Sequence, residues 1–190
     1  MPRKIENWVR GSLGSPRKLA TILCKASPRE AVILCCAMID TILADLIASS
    51  LRNDVSEVEA FVGLDADGRA PLGSFGARIQ GAYLMRLIDR PQRDVLRCLK
   101  DVRNLFSHHV CVSFADQRVV LKVKRIYEIY CDTPPPQRRN RVYTETGEFQ
   151  KNIEELTFSP DACSGMYVGA AVCEMKRIHE SCRRRKAART

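Results

Sequence analysis

The residues best suited to chemistry in this 190-residue chain fall in one short run, Arg103-Asn104-Leu105-Phe106-Ser107-His108-His109. A histidine has an unperturbed pKa of about 6.5 and can take or give a proton near neutrality. An arginine stays charged and offers a planar fork of donors to a phosphate or carboxylate. Asn104 and His108 are four residues apart, so on a helix they share a face. Arg103 lies about 100° from Asn104 around the same helix. These residues also have purely structural uses. Arg103 can pair with Asp40 or Asp45, Asn104 can bond a neighbouring backbone group, and His108 and His109 can cap a helix C-terminus, where the dipole favours cations.

Other chemistry has little support. The sequence holds no phosphate-cradling glycine loop and no G-x-S-x-G. The histidines, His108, His109 and His179, are too few and scattered for a zinc site. Asp65, Asp67 and Gly68 resemble part of a calcium loop but lack its further oxygen ligands and its terminal Glu. The nine cysteines are odd in number and form no C-x-x-C pair, so they read as small reduced hydrophobes rather than metal ligands. The vicinal Cys35-Cys36 has no neighbour that argues for redox use. No cofactor and no metal are expected.

The elements that must position the run are helices. Residues 1–15 read as a flexible N-terminal arm anchored only by Trp8. A first helix is expected over Pro16–Lys25. Ser27-Pro28-Arg29-Glu30 combines a capping box with proline at the first helical position and opens a long helix to about Leu51. Apolar on nearly all sides, it must be a central helix. Val55 to Val62 forms a short helix and residues 63–73 a loop. A fourth helix is expected from Ser74 to Leu87 and a fifth from Pro91 to Ser107. Val95, Leu99, Val102 and Phe106 line the inner face of the fifth. Residues 117–130 fit a strand through Val119, Leu121 and Val123, or a helix through Val119, Val123, Ile126 and Tyr130. The helix is preferred, with Asp116 as its N-cap. Pro134-Pro135-Pro136 opens an irregular segment to residue 160, with a short hairpin around Thr146-Gly147. A last helix spans Asp161 to Ala187, its contacts made by Met166, Val168, Val172, Met175 and Ile178. The expected fold is all-α, an antiparallel bundle over residues 16–131. A less regular C-terminal extension follows: an irregular segment over 132–160 and a basic helix over 161–190.

The formal net charge is +9 and it is unevenly placed. Residues 1–30 carry seven Lys/Arg against two Glu, residues 31–117 nine against eleven acids, and residues 118–190 fifteen against nine. Attraction to nucleic acid would therefore act through the ends. Arg183, Arg184, Arg185 and Lys186, with Arg189, form the densest patch, which serves equally as a solvated helix end. The longest apolar stretch, Ala31 to Ala48, is interrupted by Asp40 and Asp45, so no membrane span is expected. The N-terminus lacks the pattern of a secretory signal, which places the protein in the cytoplasm.

Three segments carry a family resemblance: residues 37–47 (AMIDTILADLI), 71–88 (PLGSFGARIQGAYLMRLI) and 99–109 (LKDVRNLFSHH). In this order and spacing the chain resembles the mannitol-repressor (MtlR) family of bacterial transcription regulators over roughly residues 28–131. The third segment is also similar to the signature of the wider HEPN superfamily, carried here by Arg103, Asn104 and His108. That resemblance implies a helical dimer and either metal-independent RNA cleavage or a non-catalytic scaffold. In such cleavage the substrate's own 2′-hydroxyl attacks, and two copies across a two-fold axis would gather two Arg and two His around one phosphate. The reading preferred is a transcriptional regulator resembling the mannitol operon repressor, acting through protein partners or through nucleic-acid contact at its basic ends. A homodimer is expected. The alternatives are an endoribonuclease using Arg103 and His108 and a non-catalytic interaction module. The helix pair around Asp89-Arg90-Pro91 buries its apolar stripes and offers no base-reading face, so a helix-turn-helix is not expected.

Overall fold

The computed structural model describes residues 16–51, 54–63, 70–132 and 158–187. The proposed N-terminal arm, the Asp65/Asp67 loop and the hairpin around Thr146-Gly147 lie outside these. The described residues form seven α-helices and no strand: α1 (Pro16–Lys25), α2 (Pro28–Ala48), α3 (Val55–Val62), α4 (Phe75–Leu84), α5 (Arg90–His108), α6 (Gln117–Asp132) and α7 (Pro160–Ala187). The fold is all-α, as the periodicities predict.

Local chemistry fixes most helix starts. The Ser27 side chain accepts from the Glu30 N–H, and the Glu30 carboxylate accepts from the Ser27 N–H at 3.0 Å, a complete capping box. Asp54, Ser74 and Asp89 cap α3, α4 and α5 in the same way, through the N–H of Glu57, Ala77 and Gln92. At α6 the Asp116 carboxylate accepts from the Arg118 N–H at 2.9 Å, the N-cap the sequence suggests. Two helix ends come early. The α2 helix stops at Ala48, where the Ser49 and Ser50 hydroxyls turn back onto the Leu46 carbonyl at 2.7 and 3.0 Å and compete with the ladder. The α4 helix ends at Leu84 because Arg86 adopts φ +56°; the Leu87 N–H then reaches the Ala82 carbonyl and the Arg86 N–H reaches Tyr83. That is a Schellman motif with arginine where glycine is usual.

The α2 helix is the axis of the molecule. Its buried set includes Val32, Cys35, Ile39, Leu43, Leu46 and Ile47, so no single stripe faces inward. By length and mean hydropathy, 2.2, it would suffice to cross a membrane despite Asp40 and Asp45, but here 61% of its most apolar stretch is buried by the other helices. It packs against α7, α5 and α4, and less extensively against α3 and α1. The C-terminal helix is therefore a principal layer of the core, and Tyr167, Val168, Ala171, Met175 and Ile178 are all completely buried there. Each large aliphatic side chain so buried contributes about 1.5–3 kcal/mol before entropy is counted. In α6 the helical set wins over the alternating one: Val119, Val123 and Ile126 are buried while Leu121 is 56% exposed.

One charged pair ties three helices together. Arg78 of α4, itself buried, donates to Asp40 of α2 at 2.7 Å and to the carbonyls of Val62 and Gly63 at the end of α3 at 3.0 and 3.2 Å. Gly63 closes α3 at φ +74°, and a Cβ there would stand 2.7 Å from the Cα of Gly73. None of the nine cysteines is disulfide-bonded, and Cys35, Cys36, Cys98, Cys163 and Cys182 are buried.

Candidate functional site

The signature run occupies the last turns of α5, where four carbonyls have no partner within the helix. The His109 N–H takes the Leu105 carbonyl, and Arg29, from the first turn of α2, takes the Phe106 carbonyl and two that follow the helix. Its guanidinium donates to the Phe106 carbonyl, to His109 O at 3.0 Å and to Val110 O at 2.8 Å. The side chains of His108 and His109 are not the cap, and both are exposed. The capping role that the sequence left open to the histidines is taken by an arginine about eighty residues earlier.

Arg103 points the other way. It is half-buried, with its guanidinium 6.0 Å from the centre of the Phe75 ring on α4. Of the two acids open to it in the sequence, Asp40 or Asp45, the first is held by Arg78 instead. Beside Arg103 lies a small buried polar knot. The Tyr167 hydroxyl donates to the Leu99 carbonyl at 3.2 Å and meets the Cys36 thiol at 3.2 Å. Burial pushes the Cys36 thiol up to about 11, against the lowering effects of the Tyr167 bond and the Arg103 charge. The thiol is therefore an inert core group at neutral pH. Arg103 and His108 are five residues apart on one helix, about 140° around its axis. Within one chain they do not converge on a common point.

The basic end of α7 is continuous with the core helix. Arg183, Arg184 and Arg185 are all exposed, and among the described residues Arg184 makes one long ionic contact, 3.8 Å, to Glu180. Lys186 belongs to the helical span, while Arg189 lies outside the described residues.

A concave feature escaped the sequence reading. An open cleft of about 690 Å³ lies between the α4–α5 turn and α7, lined by Tyr83, Leu84, Arg86, Leu87, Asp89, Arg177 and Arg184 among others. Arg177 spans it, reaching Glu174 at 2.9 Å and Asp89 at 3.3 Å. Glu174 is completely buried, and its Oε1 also accepts from the Tyr130 hydroxyl at 2.8 Å. Its Oε2 has no hydrogen-bond partner among the described residues. Burial raises the Glu174 pKa, opposed by Arg177, Tyr130 and Gln92. The signal for this network was present: Tyr167, Ala171, Glu174 and Ile178 are spaced by 4, 3 and 4, which puts an acid in an apolar stripe. Among the described residues no group of three His, Cys, Asp or Glu side chains could hold a metal ion. Compared with known proteins, the chain matches no family model, no curated protein and no solved structure.

Proposed function

We propose that this chain is a non-enzymatic transcriptional regulator of the mannitol-repressor type that works as a homodimer and touches nucleic acid through the basic end of α7. The observation that carries the reading is the placement of Arg183, Arg184 and Arg185. They stand exposed on a helix whose earlier turns are locked into the core by Tyr167, Ala171 and Met175. A basic segment on a rigid stem contacts phosphates with little loss of conformational freedom. The resemblance of residues 37–47, 71–88 and 99–109 supplies the family. The separation of Arg103 from His108 argues against catalysis by one copy. The test is an electrophoretic shift on duplex DNA at low salt, for wild type and for the triple variant R183A/R184A/R185A. Retarded DNA with wild type alone supports the reading; equal retardation by both removes it.

A second reading, metal-independent endoribonuclease, is favoured by one feature: His108 is exposed and has no capping duty. Catalysis would require a second copy to bring its own Arg103 or His108 across a two-fold axis. Cleavage of a labelled RNA pool without metal, lost in His108→Ala, would establish it. If the chain neither cuts RNA nor binds DNA, the third possibility, a protein-interaction module, is what is left.

A further inference from the structure

The cleft between the α4–α5 turn and α7 carries a chemistry that the regulator reading does not use. We propose that it binds a small organic anion, whose charged group is held by Arg86 and Arg184 and whose apolar body lies on Leu84 and Leu87. The volume, about 690 Å³, is that of a small-molecule site. Its three guanidinium groups are unequally committed. Arg177 is bound to both Glu174 and Asp89 and forms the fixed part of the wall. Arg184 is 80% exposed and as far as 3.8 Å from its acid, beyond hydrogen-bond distance, so its donors remain largely available. Arg86 enters no ion pair among the described residues, although it sits on the same rim.

The backbone at Arg86 strengthens the assignment. Its φ of +56° is the left-handed conformation that L side chains rarely adopt and that a glycine would adopt without strain. A residue kept in such a conformation at the lip of a cleft points to use of its side chain. Next to it, Leu84 is 69% exposed. Uncommitted guanidinium groups beside an uncovered apolar side chain in one concavity match a ligand with an anionic head and an apolar body. Asp89 and Glu180 are the acids of the same lining, and they leave it with one net positive charge. The cleft shares Arg184 with the proposed nucleic-acid contact, but Arg86 belongs to the cleft and not to the α7 end, so the Arg86 variant separates the two readings.

The experiment is titration calorimetry and thermal melting of the full chain with phenyl phosphate, against inorganic phosphate and phenol. Phenyl phosphate should bind and raise the melting temperature, and each half of the probe alone should bind at least about tenfold more weakly. Arg86→Gly should melt higher than wild type when free, because backbone strain is relieved, and yet bind phenyl phosphate at least about tenfold more weakly. Leu84→Ser should weaken phenyl phosphate but leave inorganic phosphate unchanged. No binding to wild type up to about 10 mM overturns the proposal. So does undiminished binding by Arg86→Gly, or inorganic phosphate binding as tightly as phenyl phosphate.

Discussion

Replacing Arg29 by alanine should loosen the end of α5 more than a surface substitution ordinarily does. The guanidinium donates to the carbonyls of Phe106, His109 and Val110, the first part-buried and the others exposed. A hydrogen bond from a charged donor is worth about 1.5–3 kcal/mol when shielded and much less in solvent. A cation at a helix C-terminus adds about 0.3–1 kcal/mol in exposed settings. The part-buried bond to Phe106 therefore dominates, and the whole cap should contribute about 2 kcal/mol, roughly a thirtyfold change in the folding constant. Urea unfolding should show the midpoint falling with the slope unchanged. Hydrogen exchange should quicken at the His109 amide, which is bonded to Leu105, before the core of α5 is affected. Arg29→Lys keeps the charge but not the fork and should lose about half as much. A loss below about 0.5 kcal/mol, the range of neutral surface changes, with unaltered exchange would refute the assignment of Arg29 as the cap.

Three further outcomes follow from the same structure. Arg86→Gly should stabilise the free protein by about 1 kcal/mol, read by thermal melting, since a non-glycine residue in the left-handed region carries that strain. Glu174 has its pKa raised by burial above the ordinary 4.5, so the folded state holds this proton more tightly than the unfolded state does. Its favourable contribution is complete below pH 4.5 and is lost as pH rises through the folded value. Urea titrations from pH 4 to 8, a range about these values, should show wild type losing stability with pH relative to Glu174→Gln; parallel profiles would contradict this. Ser27→Ala removes the capping box and should cost about 1 kcal/mol in urea unfolding.

What could be read from the sequence was local. The Ser27/Glu30 box, the prolines near the first turns of α2 and α5 and the 4-3-4 stripe of α5 each involve residues within a few turns, and each is found in place. In α6 the sequence offered two periods, and burial of Ile126 together with exposure of Leu121 decided between them. Long-range charge pairing was not legible. Arg29 serves carbonyls 77 to 81 residues away, and Arg78 takes the Asp40 that seemed open to Arg103. A charged side chain pairs with whatever the packed helices bring near, and no spacing rule encodes that. Arg86 hid the end of α4 for a related reason: glycine announces a left-handed cap, and arginine does not. The cleft stayed out of sight because its two walls are about ninety residues apart in sequence, on the α4–α5 turn and on α7.

The central claim, a nucleic-acid-binding regulator working through the basic end of α7, is tested most directly by the salt dependence of duplex DNA affinity. Each phosphate neutralised contributes about 0.9 to the slope of log affinity against log salt. Wild type should bind with a steep slope, and R183A/R184A/R185A should bind more weakly with the slope reduced by roughly 2–3, the loss of up to three phosphate contacts. Absence of binding at low salt, or a triple variant with the slope of wild type, would contradict the account.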